Sequence, residues 1–196
     1  MIASLPVELM RAIRLTVVFA LVTGLLYSLA FTGIAQVIFP NQANGSLITK
    51  DGQVVGSSLI GQEFKSNKYF HGRVSASATP YAADNSAGSN LGPNNKALID
   101  RVASSARTAR TDNGLAPDAQ VPVDLVTADF SGFDPDITEA SALLQVHRVA
   151  LARGLDESTL RALVEGHVQG RVLWIFGEPH VNVLQLNLAL DAGEPG

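Results

Sequence analysis

From Leu15 to Pro40 the chain reads LTVVFALVTGLLYSLAFTGIAQVIFP, without one Asp, Glu, Lys, Arg or His. At roughly 1.5 Å per residue such a run makes a helix about 39 Å long, enough to cross a hydrocarbon layer of about 30 Å with some tilt. A cleaved export signal is the competing reading, because Ser28 and Ala30 are small residues of the kind found at cleavage sites. The apolar part of such signals usually ends after about 7 to 15 residues, whereas this run continues through Ile34 and Phe39. An uncleaved anchor is therefore expected. Arg11 and Arg14 flank it on the amino-terminal side, which puts the amino terminus in the cytoplasm and the rest of the chain outside. The expected division is a cytoplasmic arm over 1–11, a transmembrane anchor over 12–40 and an exported domain over 41–196.

Thr16, Ala20, Gly24, Ser28 and Thr32 recur at four-residue intervals inside the anchor. Lipid requires no such row. Small side chains four apart let a second helix approach closely, so van der Waals contact can hold the pair where no hydrophobic drive exists. Four residues of α-helix turn about 400°, so the row drifts about 40° per step and a partner must cross it at an angle.

Beyond the anchor, 12 Lys or Arg face 17 Asp or Glu. Nucleic acid is thereby excluded as a natural partner, since its phosphates demand a basic face. The acidic balance would instead attract cations. With no cysteine in the chain there is no disulfide to form and no thiol to oxidise, which suits export.

SLITKDGQVVG has the pattern of a hairpin turning at Asp51-Gly52. A helix is expected from Lys96 to Asn113 and another from a Thr138 cap to Gly154, with Leu143, Leu144, His147, Ala150 and Leu151 on one side. A third opens at Asp156 and closes at Gly170. VPVDLVTA (121–128), VLWIF (172–176) and VNVLQLNLAL (181–190) have the alternation of strands, the last with Leu184, Leu186, Leu188 and Leu190 on one face. The fold class is α+β: one amino-terminal transmembrane helix, then one mixed domain of a small sheet with packed helices. Residues 71–96 form a long Ser-, Asn- and Gly-rich loop, a length that usually marks function or disorder.

Tyr69, Phe70, His71, Gly72 and Arg73, followed by Ser75, carry the only inventory that resembles catalysis. A Ser–His pair also needs an orienting group and an oxyanion site, and GxSxG is absent. Two readings stand beside each other: a tethered hydrolase using His71 and Ser75, or a fold-and-recognition element with Phe70 in the core and Arg73 paired at the loop mouth. A tethered solute-binding module is a third. Zinc spacings, Walker A and GxGxxG are all missing, so no cofactor or metal of its own is expected. Asp124, Asp129, Asp134, Asp136 and Glu139 miss calcium-loop spacing and suit turns and caps. His147 and His167 lie in apolar helical patterns, as core or groove histidines do.

Six blocks in order, QANGSLI (42–48), LIGQEF (59–64), YFHGR (69–73), GSNLGPNN (88–95), DLVTA (124–128) and VNVLQLNLAL (181–190), resemble the C subunit of the Kdp potassium-transporting ATPase over nearly the whole chain. The resemblance implies an accessory subunit, not itself an enzyme, of a high-affinity ATP-driven potassium importer in the cell inner membrane. Its partners would be a channel-like subunit and a P-type ATPase subunit. It implies a catalytic chaperone that raises the ATP affinity of the pump subunit, with ATP belonging to the complex. It also directs attention to YFHGR and to Gly88, Ser89, Asn90, Leu91, Gly92 and Pro93 as recognition or fold elements of the outer domain. The charge-based topology places that domain away from cellular ATP, so any such effect is expected to be indirect.

Overall fold

A computed structural model describes residues 5–193, which fall into two units divided between Leu47 and Ile48. In the first, α1 (Leu5–Ile38) is a 34-residue apolar helix whose most apolar stretch is wholly unburied by the rest of the chain. Its middle, Leu21–Tyr27, is π-helical. Phe39 leaves helical geometry, and Pro40 opens the single turn Pro40–Ala43. The carboxamides of Gln36 and Asn44 pair with each other at 3.1 and 3.3 Å, tying that turn to the end of α1.

A two-stranded hairpin follows, β1 (Leu47–Lys50) and β2 (Gln53–Ser57). Asp51 and Gly52 both take positive φ, the geometry a two-residue hairpin turn needs. The second unit also contains α2 (Lys96–Asp112), β3 (Asp136–Ile137), α3 (Glu139–Arg153), α4 (Glu157–Gly166), β4 (Val168–Gln169), β5 (His180–Asn182) and α5 (Val183–Ala192). β5 is the middle strand of an antiparallel sheet ordered β3-β5-β4, with Val181 opposite both Ile137 and Val168. Phe70, Ile137, Val146, Val149, Leu160, Val164, Val181, Leu186 and Leu190 make the core between this sheet and α3, α4 and α5.

The helix ends follow local chemistry. Thr138 caps α3 through Ser141 N–H, Gly154 closes it in the left-handed region, and Asp156 caps α4. Asp124 adds a second layer at the start of α3: its carboxylate accepts from Thr138 N–H at 2.7 Å and from the Ser141 hydroxyl at 2.5 Å. A buried anion there is matched to the positive end of the helix.

Four expectations are corrected. VNVLQLNLAL is a strand only at Val181–Asn182; from Val183 it is α5, because Asn182 caps Gln185 N–H and the buried set Val183, Leu186, Asn187 and Leu190 has helical spacing. VLWIF is a tight turn with a single bridge, Val172 to Phe176, and its side chains are exposed, so no core face pulls it into a sheet. VPVDLVTA contains a 3₁₀ turn at Val123–Leu125 and joins a neighbour only where Ala128 bridges Val74. The helix after Asp156 ends at Gly166, four residues before Gly170, and the chain continues directly into β4.

Candidate functional site

On α1 the hydroxyl groups of the small-residue row turn back on their own helix. Thr16 donates to Ala12 O at 2.9 Å, Thr32 to Ser28 O at 2.8 Å and Ser28 to Thr23 O at 3.3 Å. Their polarity is thus satisfied without a partner, leaving a shallow surface suited to an apolar medium. Gly24 lies within the π-helical stretch. Bonding from i to i+5 widens the helix and lowers the turn per residue, so four residues no longer overshoot a full turn as they do in an α-helix. Among the described residues, nothing but the helix's own backbone lies within 4 Å of a Cβ added at Gly24.

In the second unit the YFHGR segment has no strand neighbour at its centre, yet Phe70 is fully buried. Its main chain is held by side-chain amides instead. Asn187 of α5 accepts from Phe70 N–H and donates to Phe70 O, both at 2.9 Å. Gln145 of α3 repeats the motif one residue on, accepting from His71 N–H at 2.7 Å and donating to His71 O at 3.1 Å. Two carboxamides therefore stand in for the edges of two adjacent strands.

Arg148 locks the approach to this clamp. Its guanidinium donates to Asn67 O and Tyr69 O at 3.0 Å, to Gln145 Oε1 at 2.6 Å and to Asn113 Oδ1 at 3.1 Å. Burial disfavours its charge, and Asp112 opposes that effect. Further along α3, Arg153 donates to Lys68 O at 2.6 Å and to Asp191 at 2.7 Å, with its guanidinium 4.8 Å from the centre of the Tyr69 ring. Tyr69 in turn donates to Asp191 at 3.2 Å.

His71 and Ser75 are not brought together as a catalytic pair. His71 Nε2 lies 3.1 Å from Ser66 O and 3.4 Å from Arg148, and burial followed by the Arg148 charge holds its pKa below the ordinary 6.5. The Ser75 hydroxyl donates to Gly132 O at 2.7 Å, which fastens the long loop rather than exposing a nucleophile. Arg73 pairs with Asp134 at 2.9 Å, as a loop-mouth residue should. Tyr81 reaches back from the loop to donate to Arg73 O at 2.7 Å, and its hydroxyl would lie 2.4 Å from a Cβ at Gly72, so only glycine leaves it room. A cleft of ≈ 230 Å³ opens beside this element, lined by His71, Thr108, Asp112, Asn113 and Gln145. Two of its polar groups, Gln145 and Asn113, are already committed to the clamp.

The loop is braced, not loose. Tyr81 N–H and Ala87 N–H donate to Gly132 O and Ser131 O, and Gly88 lies so close to Phe130 that a Cβ would meet its ring at 2.9 Å. Gly88, Ser89 and Leu91 are half-buried, while Asn90, Gly92 and Pro93 are exposed. Asn90 takes a positive φ, and Asn95 ends the motif by capping α2 through Ala97 N–H. The acidic residues serve turns: Asp129 accepts from Ser131 and Asp134 N–H, and Asp136 accepts from Asn182. Among the described residues no group of three or more His, Asp or Glu is placed to hold a metal.

The α3 face differs from expectation. His147 is exposed and pairs with Glu157 at 2.6 Å, and Leu151 is exposed too. The buried side instead includes Ala142, Gln145, Val146, Arg148 and Val149. Apolar spacing could not reveal a face that buries a carboxamide and a guanidinium. Gln145, Arg148 and Asn187 were thus missed, although Asn182 three residues before Gln185 is a capping signal that points to the helix carrying Asn187.

The family described as K+-transporting ATPase, c chain, matches residues 9–192. Among similar proteins, the potassium-transporting ATPase KdpC subunit of Rhodopseudomonas palustris strain BisB18 is 55% identical over 95% of this chain and 98% of its own length. That of Bradyrhizobium diazoefficiens is 54% identical over 94% and 96%, and that of Methylobacterium nodulans 53% identical over 90% and 92%.

Proposed function

The chain belongs to the KdpC family, the c chain of the K+-transporting ATPase, and from that premise we propose that it is the small accessory subunit of an ATP-driven potassium import complex, anchored in the membrane by α1. The near-full-length match carries this reading. The proposed partners are a channel-like subunit and a P-type ATPase subunit. Thr16, Ala20, Gly24, Ser28 and Thr32 form the contact with a partner helix, supported by their four-residue spacing and by hydroxyls already satisfied within the helix. In the body, Tyr69 to Arg73 act by fixing the shape of the fold, and Asn90, Gly92 and Pro93 are the exposed positions available to a partner.

With Arg11 and Arg14 on the cytoplasmic side, the body after the anchor is extracytoplasmic. The native absence of cysteine makes the test direct. An impermeant thiol reagent should label an exposed position such as Asp118→Cys in intact cells; protection there would reverse the orientation. Asn187, by contrast, is too buried to report.

ATP binds elsewhere in the complex, and influence on ATP affinity passes through α1 or through a conformational equilibrium shared with the pump subunit. Affinity purification of the full chain from detergent-solubilised membranes should bring down two large membrane subunits together with potassium-stimulated ATPase activity. Recovery of the chain alone under conditions that preserve such complexes would overturn the proposal.

A further inference from the structure

Five consecutive apolar side chains, Val172, Leu173, Trp174, Ile175 and Phe176, are 63 to 92% exposed, with Trp174 the most exposed. They belong to no core, and a contiguous apolar surface of this kind marks an interaction site in a folded protein. The backbone beneath them is tightly built. Val172 and Phe176 exchange hydrogen bonds at 2.8 and 2.9 Å, Ile175 N–H donates to Val172 O, and Trp174 N–H donates to Arg171 O. Leu173 and Trp174 both take positive φ, a conformation that bulky residues rarely adopt and that turns their side chains outward at a conformational cost. At the base Arg171 and Glu178 pair at 2.6 Å, and no charged side chain lies between them.

We propose that the Val172–Phe176 turn is a lipid-binding tip that enters the headgroup and acyl boundary of a bilayer. Three observations favour lipid over a protein groove. Four of the five tip amides are bonded within the turn, which leaves few backbone groups for headgroups or interfacial water to satisfy. The only polar side-chain group at the tip is the Trp174 indole N–H, whereas a protein interface carries about one hydrogen bond per 100–200 Å². The same chain also carries an apolar helix long enough to cross a bilayer, which would tether the body to a lipid surface. Tryptophan at the apex suits the interfacial zone, where its ring is apolar and its N–H finds water or headgroups. This inference is independent of the proposed partners.

Trp174 is the only tryptophan in the chain, so the native protein carries its own probe. The full chain, purified alone, would be reconstituted into vesicles of phosphatidylcholine and phosphatidylglycerol. Expected are emission shifted to shorter wavelength, strong quenching by acyl chains brominated near the headgroup, and reduced quenching by aqueous acrylamide. Leu173→Ser combined with Ile175→Ser should restore acrylamide access and abolish the brominated-lipid effect; these side chains are exposed, so the fold should survive. Water-like emission open to acrylamide would overturn the proposal. So would shielding without brominated-lipid quenching, whether it needs added large subunits, which would indicate a protein groove, or rises with protein-to-lipid ratio, which would indicate self-association.

Discussion

Asn187 grips both polar groups of the Phe70 main chain, accepting from its N–H and donating to its carbonyl at 2.9 Å each. The consequence reaches beyond one residue. Phe70 can be fully buried only if its peptide groups find partners there, and no strand runs alongside to supply them. Helix α5 brings a carboxamide in place of a strand, and α3 does the same for His71 through Gln145. The YFHGR segment is thus fixed by two helices that come from distant parts of the chain.

Replacing Asn187 with Leu puts a branched apolar side chain in the place of the carboxamide and leaves one buried N–H and one buried carbonyl without partners. Each such orphan costs roughly 1–3 kcal/mol, so a loss of about 2–6 kcal/mol is expected for the two. At roughly 2–4 °C per kcal/mol for a domain of this size, that lowers Tm on the order of 10 °C. Thermal unfolding of the full chain in detergent checks it. Asn187→Asp keeps the acceptor, loses the donor and buries a charge, so its defect should ease at acid pH; an Asn187→Leu protein as stable as the native one would refute the clamp.

Much of this architecture was legible because it rests on local chemistry. The membrane helix follows from an uncharged run, the hairpin from Asp51-Gly52, and the starts of α3 and α4 from Thr138 and Asp156, each a signal contained in a few neighbouring residues. The clamp was not legible. Its partners are 74 and 117 residues apart in the chain, and its polar members sit on faces where apolarity was the guide. Leu at every second position made α5 resemble a strand, because a helix buried on most sides sets no polar stripe against which its period can be read. VLWIF misled for the opposite reason, being apolar without being core.

Arg148 should be intolerant of its nominal equivalent. Lysine keeps the charge but lacks the planar fork that serves Asn67, Tyr69, Asn113 and Gln145 together, and methionine leaves the same oxygens unpaired. Both changes are expected to cost about 2–4 kcal/mol. One residue earlier, His147→Ala removes only an exposed pair with Glu157 and should stay within about 0.5 kcal/mol. Denaturant unfolding of the three variants side by side tests the rotated face of α3; equal effects at positions 147 and 148 would contradict it.

His71 makes stability depend on pH with a definite sign. Burial and the Arg148 charge depress its pKa below 6.5 in the folded protein, so between the folded and unfolded values the unfolded chain binds more protons. Its contribution to stability is therefore fully present above the unfolded pKa of 6.5 and is lost as pH falls through the folded value. A midpoint series in denaturant from pH 7.5 downward should show this decline, and His71→Gln should flatten it. A native profile that rises toward acid across this window would reverse the assignment. Asp136, whose pKa is raised chiefly by burial, acts with the opposite sign in the carboxylate range, so the histidine effect must be read above it.

Gly24 offers the sharpest test of the proposed membrane contact, because its own chain has no stake in the outcome. Apart from the helix's own backbone, no atom of the described residues lies within 4 Å of a Cβ added there, and its φ is not in the left-handed region. Leucine at that position meets nothing within the protein and is a stronger helix former than glycine, so α1 should insert as well or better. Any loss must then come from a neighbour whose backbone can no longer approach. Gly24→Leu is expected to leave membrane insertion and the thermal midpoint of the body unchanged while reducing co-purification of the large subunits at least tenfold, equivalent to about 1.4 kcal/mol of association free energy. Val37→Leu, on an exposed position outside the row, should retain them. Should both variants keep the complex intact, close packing along the small residues is excluded and α1 acts as a tether only.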